Sequence, residues 1–306
     1  MGRLEPLLQL VRDSGHGALT CLDPLYPALL KTIPDPPVIL WTQGDQSLLS
    51  QPAVAVVGSR RAFPASLTIA RQLARDLADA GLVVVSGMAR GVDSAAHLGA
   101  LDAGGPTIAV TGCGLTNVYP PRNAKLAAAI RETGTIVSEL PPDAEPLPSH
   151  FPLRNRIISG LARATIVVEA GARSGSLITA MQAVEQGRSV LAVPGNTLSD
   201  RHRGSHQLIK DGARLVDTVE DVLEEIGWTR RPVVESTPRN HLQLSDLESN
   251  MAMGESYSVD NLARKTRRSA SNLLAELSLL ELSGRVRRTS SGEYIRLKRP
   301  NRVEEQ

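Results

Sequence analysis

The chain has 306 residues, of which 42% are hydrophobic and 22% charged, with a formal net charge of +2. That length allows about two domains with real cores, and so mild a charge excludes nucleic-acid binding argued from bulk composition alone. No apolar run reaches the ~20 residues needed to span a bilayer. The N-terminus has no signal-peptide apolar core, and Cys21 and Cys113 lack any metal-ligand spacing. A cytoplasmic protein in a reducing compartment, holding no metal and no cofactor, is the expectation.

Aromatic residues are scarce, with two Trp, four Tyr and two Phe. The core must therefore be Ala, Val, Leu and Ile, and an aromatic in a polar loop needs explaining. Residues 1–50 carry one short amphipathic pattern (Leu4, Leu7, Leu8, Leu10, Val11), then Tyr26-Pro27 and the proline-rich Ile33-Pro34-Asp35-Pro36-Pro37. This is too little apolar surface for an independent fold, so the segment reads as an extension packing on the domain C-terminal to it.

From 51 to 227 strands and helices alternate. Strand candidates are Val54–Val57, Leu82–Ser86, Thr107–Thr111, Thr135–Glu139, Thr165–Glu169, Val190–Val193 and Arg214–Val216, and a helical pattern runs from Ala65 to Ala80 after Pro64. Buried apolar strands separated by helices predict an α/β, doubly wound, mostly parallel sheet, with ligands beyond the carboxyl ends of the strands. Those ends are rich in Gly, Ser and Arg: Gly58-Ser59-Arg60-Arg61, Ser86-Gly87-Met88-Ala89-Arg90-Gly91, Thr111-Gly112-Cys113-Gly114, Glu169 to Ser176, and Val193-Pro194-Gly195-Asn196. Gly58-Ser59-Arg60 reads as a phosphate cradle of outward backbone N–H groups, or as an ordinary βα turn. Five such loops on one edge favour a shared anion-binding rim.

The connection Leu140–Arg156 is longer and richer in proline than its position requires. It sets Phe151 beside Arg154 and Arg156, which suits base stacking with cations nearby or an aromatic plug with arginine caps.

Residues 228–245 have linker composition. Residues 246–299 read as a winged helix-turn-helix: a serine-capped helix from Ser258, a turn at Thr266–Ser269, a helix presenting Leu273, Leu274, Leu277 and Leu280, and a hairpin over Val286–Leu297. Arg264, Lys265, Arg267, Arg268, Arg287 and Arg288 give it a basic face, fit for duplex DNA or for a protein partner. Residues 300–306 are a tail.

Asp93 and His97 stand at i, i+4; the expected roles are a helix-capping carboxylate and a histidine bonded to it. His202 and His206 share that spacing and read as a solvated polar face. Glu139 and Glu169 end two strands and could form a hydrolytic carboxylate pair. Ser174 and Ser176 lack a nucleophile elbow, and no P-loop occurs.

Taken together, Tyr26-Pro27 with Asp35-Pro36-Pro37, Val57-Gly58-Ser59-Arg60, the run Ser86–His97, Tyr119-Pro120 with Asn123, the run Phe151–Leu161, Ser174-Gly175-Ser176-Leu177-Ile178-Thr179 and Pro194-Gly195-Asn196 resemble the DNA-processing protein A (DprA/Smf) family of bacterial natural transformation. The resemblance implies an extended Rossmann-like domain with a C-terminal winged helix, and a non-enzymatic homodimer that binds and protects single-stranded DNA and loads the RecA recombinase. It implies DNA contacts at Gly58, Ser59, Arg60, Arg61, Phe151, Arg154, Asn155, Arg156, Ser174, Gly175, Ser176, Gly195, Asn196 and Lys210, with Phe151 stacking a base. His206 stands where the family commonly has Asn, and residues 1–50 are short for the family's sterile-alpha-motif-like domain. The alternative is a Rossmann-like hydrolase of nucleoside monophosphates, whose Pro-Gly-Gly-x-Gly-Thr signature is missing. A weaker third reading is a winged-helix transcription factor with a ligand-sensing domain.

Overall fold

The computed structural model describes residues 16–229, 246–266, 268–282, 285–289 and 292–297. The chain divides into two compact units, Met1–Pro232 and Val233–Gln306. In order, the first contains β1 (Gly17–Thr20), α1 (Ala28–Lys31), β2 (Ile39–Gly44), β3 (Ala53–Val57), α2 (Pro64–Asp79), β4 (Val83–Ser86), α3 (Val92–Asp102), β5 (Thr107–Val110), α4 (Ala124–Thr133), β6 (Thr135–Ser138), α5 (His150–Gly160), β7 (Ala164–Val167), α6 (Ser176–Glu185), β8 (Ser189–Ala192), α7 (Arg203–Lys210), β9 (Arg214–Leu215) and α8 (Val219–Glu225).

Every residue of β3 is buried, as a small and β-branched run should be when helices cover both faces of a sheet. Val54 and Val56 pack with Ala70, Leu73 and Leu77 of α2, which fall at helical spacing along its inner face. Ala55 and Val57 join Ile157 and Ile158 of α5 on the other side. The nine strands lie in the order β1-β2-β6-β5-β4-β3-β7-β8-β9, and β6 through β9 in that order are mutually parallel. This is the doubly wound, Rossmann-like arrangement. The chain builds β3 to β6 in one direction, then returns to place β7 against the free side of β3. A crevice must open where the order reverses, beyond the carboxyl ends of β3 and β7.

Two elements differ from the sequence expectation. The N-terminal segment supplies strands: β2 pairs antiparallel with β6, Trp41 opposite Ser138, and β1 pairs antiparallel with β2. Strand addition takes much of its stability from main-chain pairing, so each strand needs few apolar residues, Leu19 in β1 and Leu40 and Trp41 in β2, while Leu30 and Ile33 pack on the core beside them. The amphipathic pattern at Leu4–Val11 lies outside the described residues. The second difference is α5. The connection ends at Ser149, and Phe151, Arg154 and Arg156 sit on a helix. Pro152 does not prevent this, because it occupies the first turn, where N–H groups have no helical acceptor.

The second unit contains α9 (Asp246–Ser249), β10 (Ser256–Tyr257), α10 (Val259–Thr266), α11 (Ala270–Leu282), β11 (Val286–Arg288) and β12 (Tyr294–Arg296), with the strands in the order β10-β12-β11. Ser258 Oγ accepts the Asn261 N–H at 3.2 Å, the expected cap of α10. Leu262, Leu273, Leu277, Leu280, Val286 and Tyr294 form the core, whereas Leu274, expected among them, faces outward. This is a winged helix. Among the described residues no helix is long and apolar enough to cross a membrane.

Candidate functional site

At the β3/β7 reversal lies a cleft of about 770 Å³. Its lining includes Gly58, Ser59, Arg60, Arg61, Phe151, Arg154, Asn155, Ser174, Gly175 and Ser176, so ten of the expected positions meet here. Arg156, Gly195, Asn196 and Lys210 are not part of that lining.

Three amides of the Gly58–Phe63 loop are spent on internal bonds. The Ser59 N–H donates to the Glu169 carbonyl at 2.8 Å, the Arg61 N–H to Ser59 Oγ at 3.1 Å, and the Phe63 N–H to Glu169 Oε2 at 2.9 Å. These bonds stiffen the loop and take the Ser59 N–H out of the expected cradle. Arg60 is exposed, with its guanidinium 5.6 Å from the centroid of the Phe151 ring. Gly91 of the β4–α3 loop fits beneath: it has φ +81°, and a Cβ there would stand 2.2 Å from the Ser59 carbonyl oxygen. Only glycine joins the two loops this closely.

Phe151 lies in the first turn of α5, half-buried. Tyr119 tilts against it with ring centroids 5.3 Å apart. A Cβ on Gly112 would meet the ring at 2.9 Å, so this glycine at the end of β5 lets the ring settle onto the backbone. One turn along α5, Arg154 is buried, with Nη1 donating to the carbonyls of Gly87, at 2.8 Å, and of Val110. Burial lowers the Arg154 pKa to about 10, and the Asp93 carboxylate opposes that shift. Desolvation in turn pushes the Asp93 carboxyl above the usual range, against the pull of Arg154. Arg154 therefore ties α5 to the ends of β4 and β5 from below the ring; it is no free anion contact. Arg156 has a similar fate. It holds Glu139 with two bonds, at 2.8 and 2.6 Å, and Asp35 at 3.1 Å, fastening α5 to β6 and to the N-terminal segment.

The far wall is formed by the β7–α6 loop and the start of α6. The Ser174 and Ser176 hydroxyls lie 2.8 Å apart at a helix end whose dipole favours anions. Arg173 and Arg201 also line the cleft. Arg173 belongs to the Glu169–Ser176 loop expected at the anion-binding rim, whereas Arg201 was not expected from sequence. Arg201 sits in a run that reads as a solvated face, yet its Nη1 donates to the Arg61 carbonyl. The His202/His206 reading needs correction for the same reason. His202 is buried, its ring 6.1 Å from that of His206, and His206 Nε2 lies 3.1 Å from the Gly195 carbonyl oxygen. The pair supports the Gly195 loop from beneath, and Asn196 Oδ1 is occupied by the Leu198 N–H at 2.8 Å.

The Asp93/His97 and Glu139/Glu169 readings resolve here. Asp93 accepts the Ala89 N–H at 3.3 Å, but His97 bonds Thr107 Oγ1 at 2.7 Å instead of Asp93. The Thr107 hydroxyl donates its own hydrogen bond to the Val84 carbonyl at 2.7 Å, so it accepts from His97, whose Nδ1 carries the proton. Glu139 and Glu169 form no catalytic pair, since Glu139 is bound by Arg156 outside the cleft lining. Among the described residues no cluster of His, Cys, Asp or Glu could hold a metal ion.

In the winged helix, Arg268 is paired with Glu276 at 2.6 Å, Lys265 Nζ donates to the Asn250 carbonyl at 3.1 Å, and Arg288 stacks on Tyr294. Arg264 reaches Asn261 Oδ1 at 2.6 Å, and Arg287 is exposed. Helix α11 contains Glu276 and Glu281 but no Lys or Arg. Arg267 lies outside the described residues.

Comparison with known proteins adds independent support. The model of DNA recombination-mediator protein A matches residues 17–227, and that of the DprA winged helix domain matches residues 252–292. DNA processing protein DprA of Streptococcus pneumoniae is 47% identical over 208 residues, covering 68% of this chain and 73% of its own. Protein Smf of Escherichia coli is 37% identical, covering 97% of this chain and 81% of its own. The X-ray structure of the S. pneumoniae protein superposes with a TM-score of 0.66 at 46% identity, over 68% of this chain and 74% of that one. DNA processing protein A from Helicobacter pylori, whose structure was determined for its single-stranded DNA binding mode, gives 0.62 at 32% identity, over 68% and 94%. With matches of this extent across both units, the chain belongs to the DNA recombination-mediator protein A family.

Proposed function

We propose that this protein binds single-stranded DNA in the β3/β7 cleft, protects incoming strands during natural transformation and hands them to the RecA recombinase, acting as a homodimer in the cytoplasm and without catalysis. The observation that carries the reading is the Arg60–Phe151 pair at the topological switch point. A ring backed by fixed protein and fronted by a guanidinium suits an unpaired base and its phosphate, and a base still stacked in a duplex does not offer its face. Arg173 and Arg61, with the hydroxyls of Ser174 and Ser176, supply further phosphate contacts. Arg154, and Arg156 beyond the lining, act by holding α5 in place. Gly195, Asn196 and Lys210 lie outside the base slot, where a longer strand would continue.

Kinship with proteins named for DNA processing and single-stranded DNA binding supports this reading. The hydrolase alternative has weaker chemistry. Asp93, which lines the cleft, is buried in the field of Arg154 and accepts the Ala89 N–H, and Glu169 spends one oxygen on the Phe63 amide. The winged helix fits a protein contact better than a major-groove reader, because the acidic α11 would face phosphates with no cation of its own.

The test is a competition measurement. A labelled single strand is displaced by unlabelled single-stranded or duplex DNA, with free base assayed in parallel after incubation with nucleoside monophosphates. Displacement by single strands at much lower concentration than by duplex supports the proposal; equal displacement, or appreciable base release, overturns it.

A further inference from the structure

The chain has two phenylalanines, and each carries an arginine guanidinium over its ring at the same edge of the sheet. Arg60 covers Phe151 at 5.6 Å from the ring centroid, and Arg201 covers Phe63 at 4.4 Å. Phe63 is 42% exposed. A single exposed apolar side chain needs no function, but this one is held by three separate ties. Its N–H is bonded to Glu169 Oε2 at 2.9 Å. Its carbonyl accepts the Leu67 N–H at 3.0 Å, closing the first turn of α2. The guanidinium above it is anchored to the Arg61 carbonyl. Glu169, Arg61 and Arg201 all line the cleft, so the Phe63 ring is fixed at its rim. In the chain only Arg61 and Ala62 separate it from Arg60, whose guanidinium covers Phe151.

We propose that Phe63, together with Arg201, is a second base-stacking site for the same single strand, and that the Gly58–Ala62 loop carries the phosphate backbone between the two stacked bases. The proposal rests on the reading of the cleft as a single-strand site. Aromatic faces accept any base, and a guanidinium plane stacks on bases as it does on rings. Two such platforms flanking a loop with Arg60 and Arg61 give the alternation of stacking surface and cation that a sugar-phosphate chain presents in reverse. The competing explanation is packing alone, with Phe63 covering the start of α2; leucine would serve that purpose, and it cannot stack.

The test measures affinity for a ladder of oligothymidylates with the full-length wild type, Phe63→Leu, Phe63→Trp and Phe151→Leu, with thermal unfolding of each. Phe63→Leu should leave the shortest bound oligonucleotide unaffected and weaken the longer ones about 5-fold or more, while Phe63→Trp binds them at least as well as the wild type. Phe151→Leu should weaken every length. Wild-type binding of long strands by Phe63→Leu overturns the second site, as does a loss equal at all lengths or one that Phe63→Trp does not restore. If Phe151→Leu binds every length as the wild type does, the cleft reading itself fails and the second site falls with it.

Discussion

The guanidinium of Arg60 stands 5.6 Å from the centroid of the Phe151 ring, although the two residues are ninety-one positions apart and belong to opposite halves of the sheet. Gly58–Arg60 follows β3, and Phe151 opens the helix that leads into β7. The pairing therefore exists only because β7 returns to lie beside β3, and it sets a cation and a stacking face together at the sheet's reversal. Arg60 has no ion-pair partner among the described residues, so its charge is available to phosphate. Replacing it with Ala should reduce the slope of log affinity against log salt by about 0.7, the value for one phosphate contact on a single strand. Titrations at several salt concentrations read this directly; an unchanged slope assigns the phosphate to other groups.

In the proposed complex Phe151 contributes through its ring face, so the size of the side chain is the wrong variable. Phe151→Ala should weaken single-strand binding by about 1–3 kcal/mol, while Phe151→Trp retains it. Equilibrium binding checks both variants. Equal loss in the two would point to a packing role.

Arg154 acts on stability. Its Nη1 serves the carbonyls of Gly87 and Val110 while its charge compensates Asp93 in a buried site. Arg154→Met removes the cation and leaves a buried carboxylate and two acceptors behind. The expected cost is about 3–5 kcal/mol, measured as the shift in urea midpoint at constant slope. A second substitution, Asp93→Asn, should recover part of that loss, because it removes the uncompensated charge.

His97 predicts an acid limb in the stability profile. Burial, and then the charge of Arg154, lower its pKa to about 3 from an ordinary 6.5. Below pH 6.5 the unfolded chain binds a proton that the folded chain refuses, so stability falls as pH falls from 6.5 toward 3. The group contributes no pH dependence above that window. The limiting slope is about 1.4 kcal/mol per pH unit. Asp93, raised by desolvation, works in the opposite sense, adding stability at low pH that is lost as pH rises through its raised value. Urea unfolding between pH 7 and 5 should therefore show a steeper acid loss in the wild type than in His97→Asn. Parallel profiles would mean that His97 titrates normally.

The sheet was legible because each strand from β3 to β8 is a short apolar run closed by small or polar residues, a local pattern. The cleft was half legible. Ser59, Arg60 and Ser174 stand at strand ends, where topology must bring them together, but which groups are spent on internal bonds depends on contacts far apart in sequence. Arg156 was expected at DNA and is consumed by Glu139 and Asp35, seventeen and one hundred and twenty-one residues away. Arg201 and His206 looked solvated because their neighbours are polar. In space they reach back to Arg61 and Gly195. Tyr119 carried a usable signal: in a chain with eight aromatics, one beside a glycine-rich strand end is a candidate cleft wall.

The proposed function places a single strand on the Arg60–Phe151 pair. Its most direct test is the affinity of Arg60→Ala/Phe151→Ala for a labelled single strand in the presence of excess duplex, with the urea midpoint measured on the same sample. Single-strand binding should be lost while the midpoint stays near that of the wild type, because neither side chain supports the core. Wild-type affinity in the double variant would contradict it.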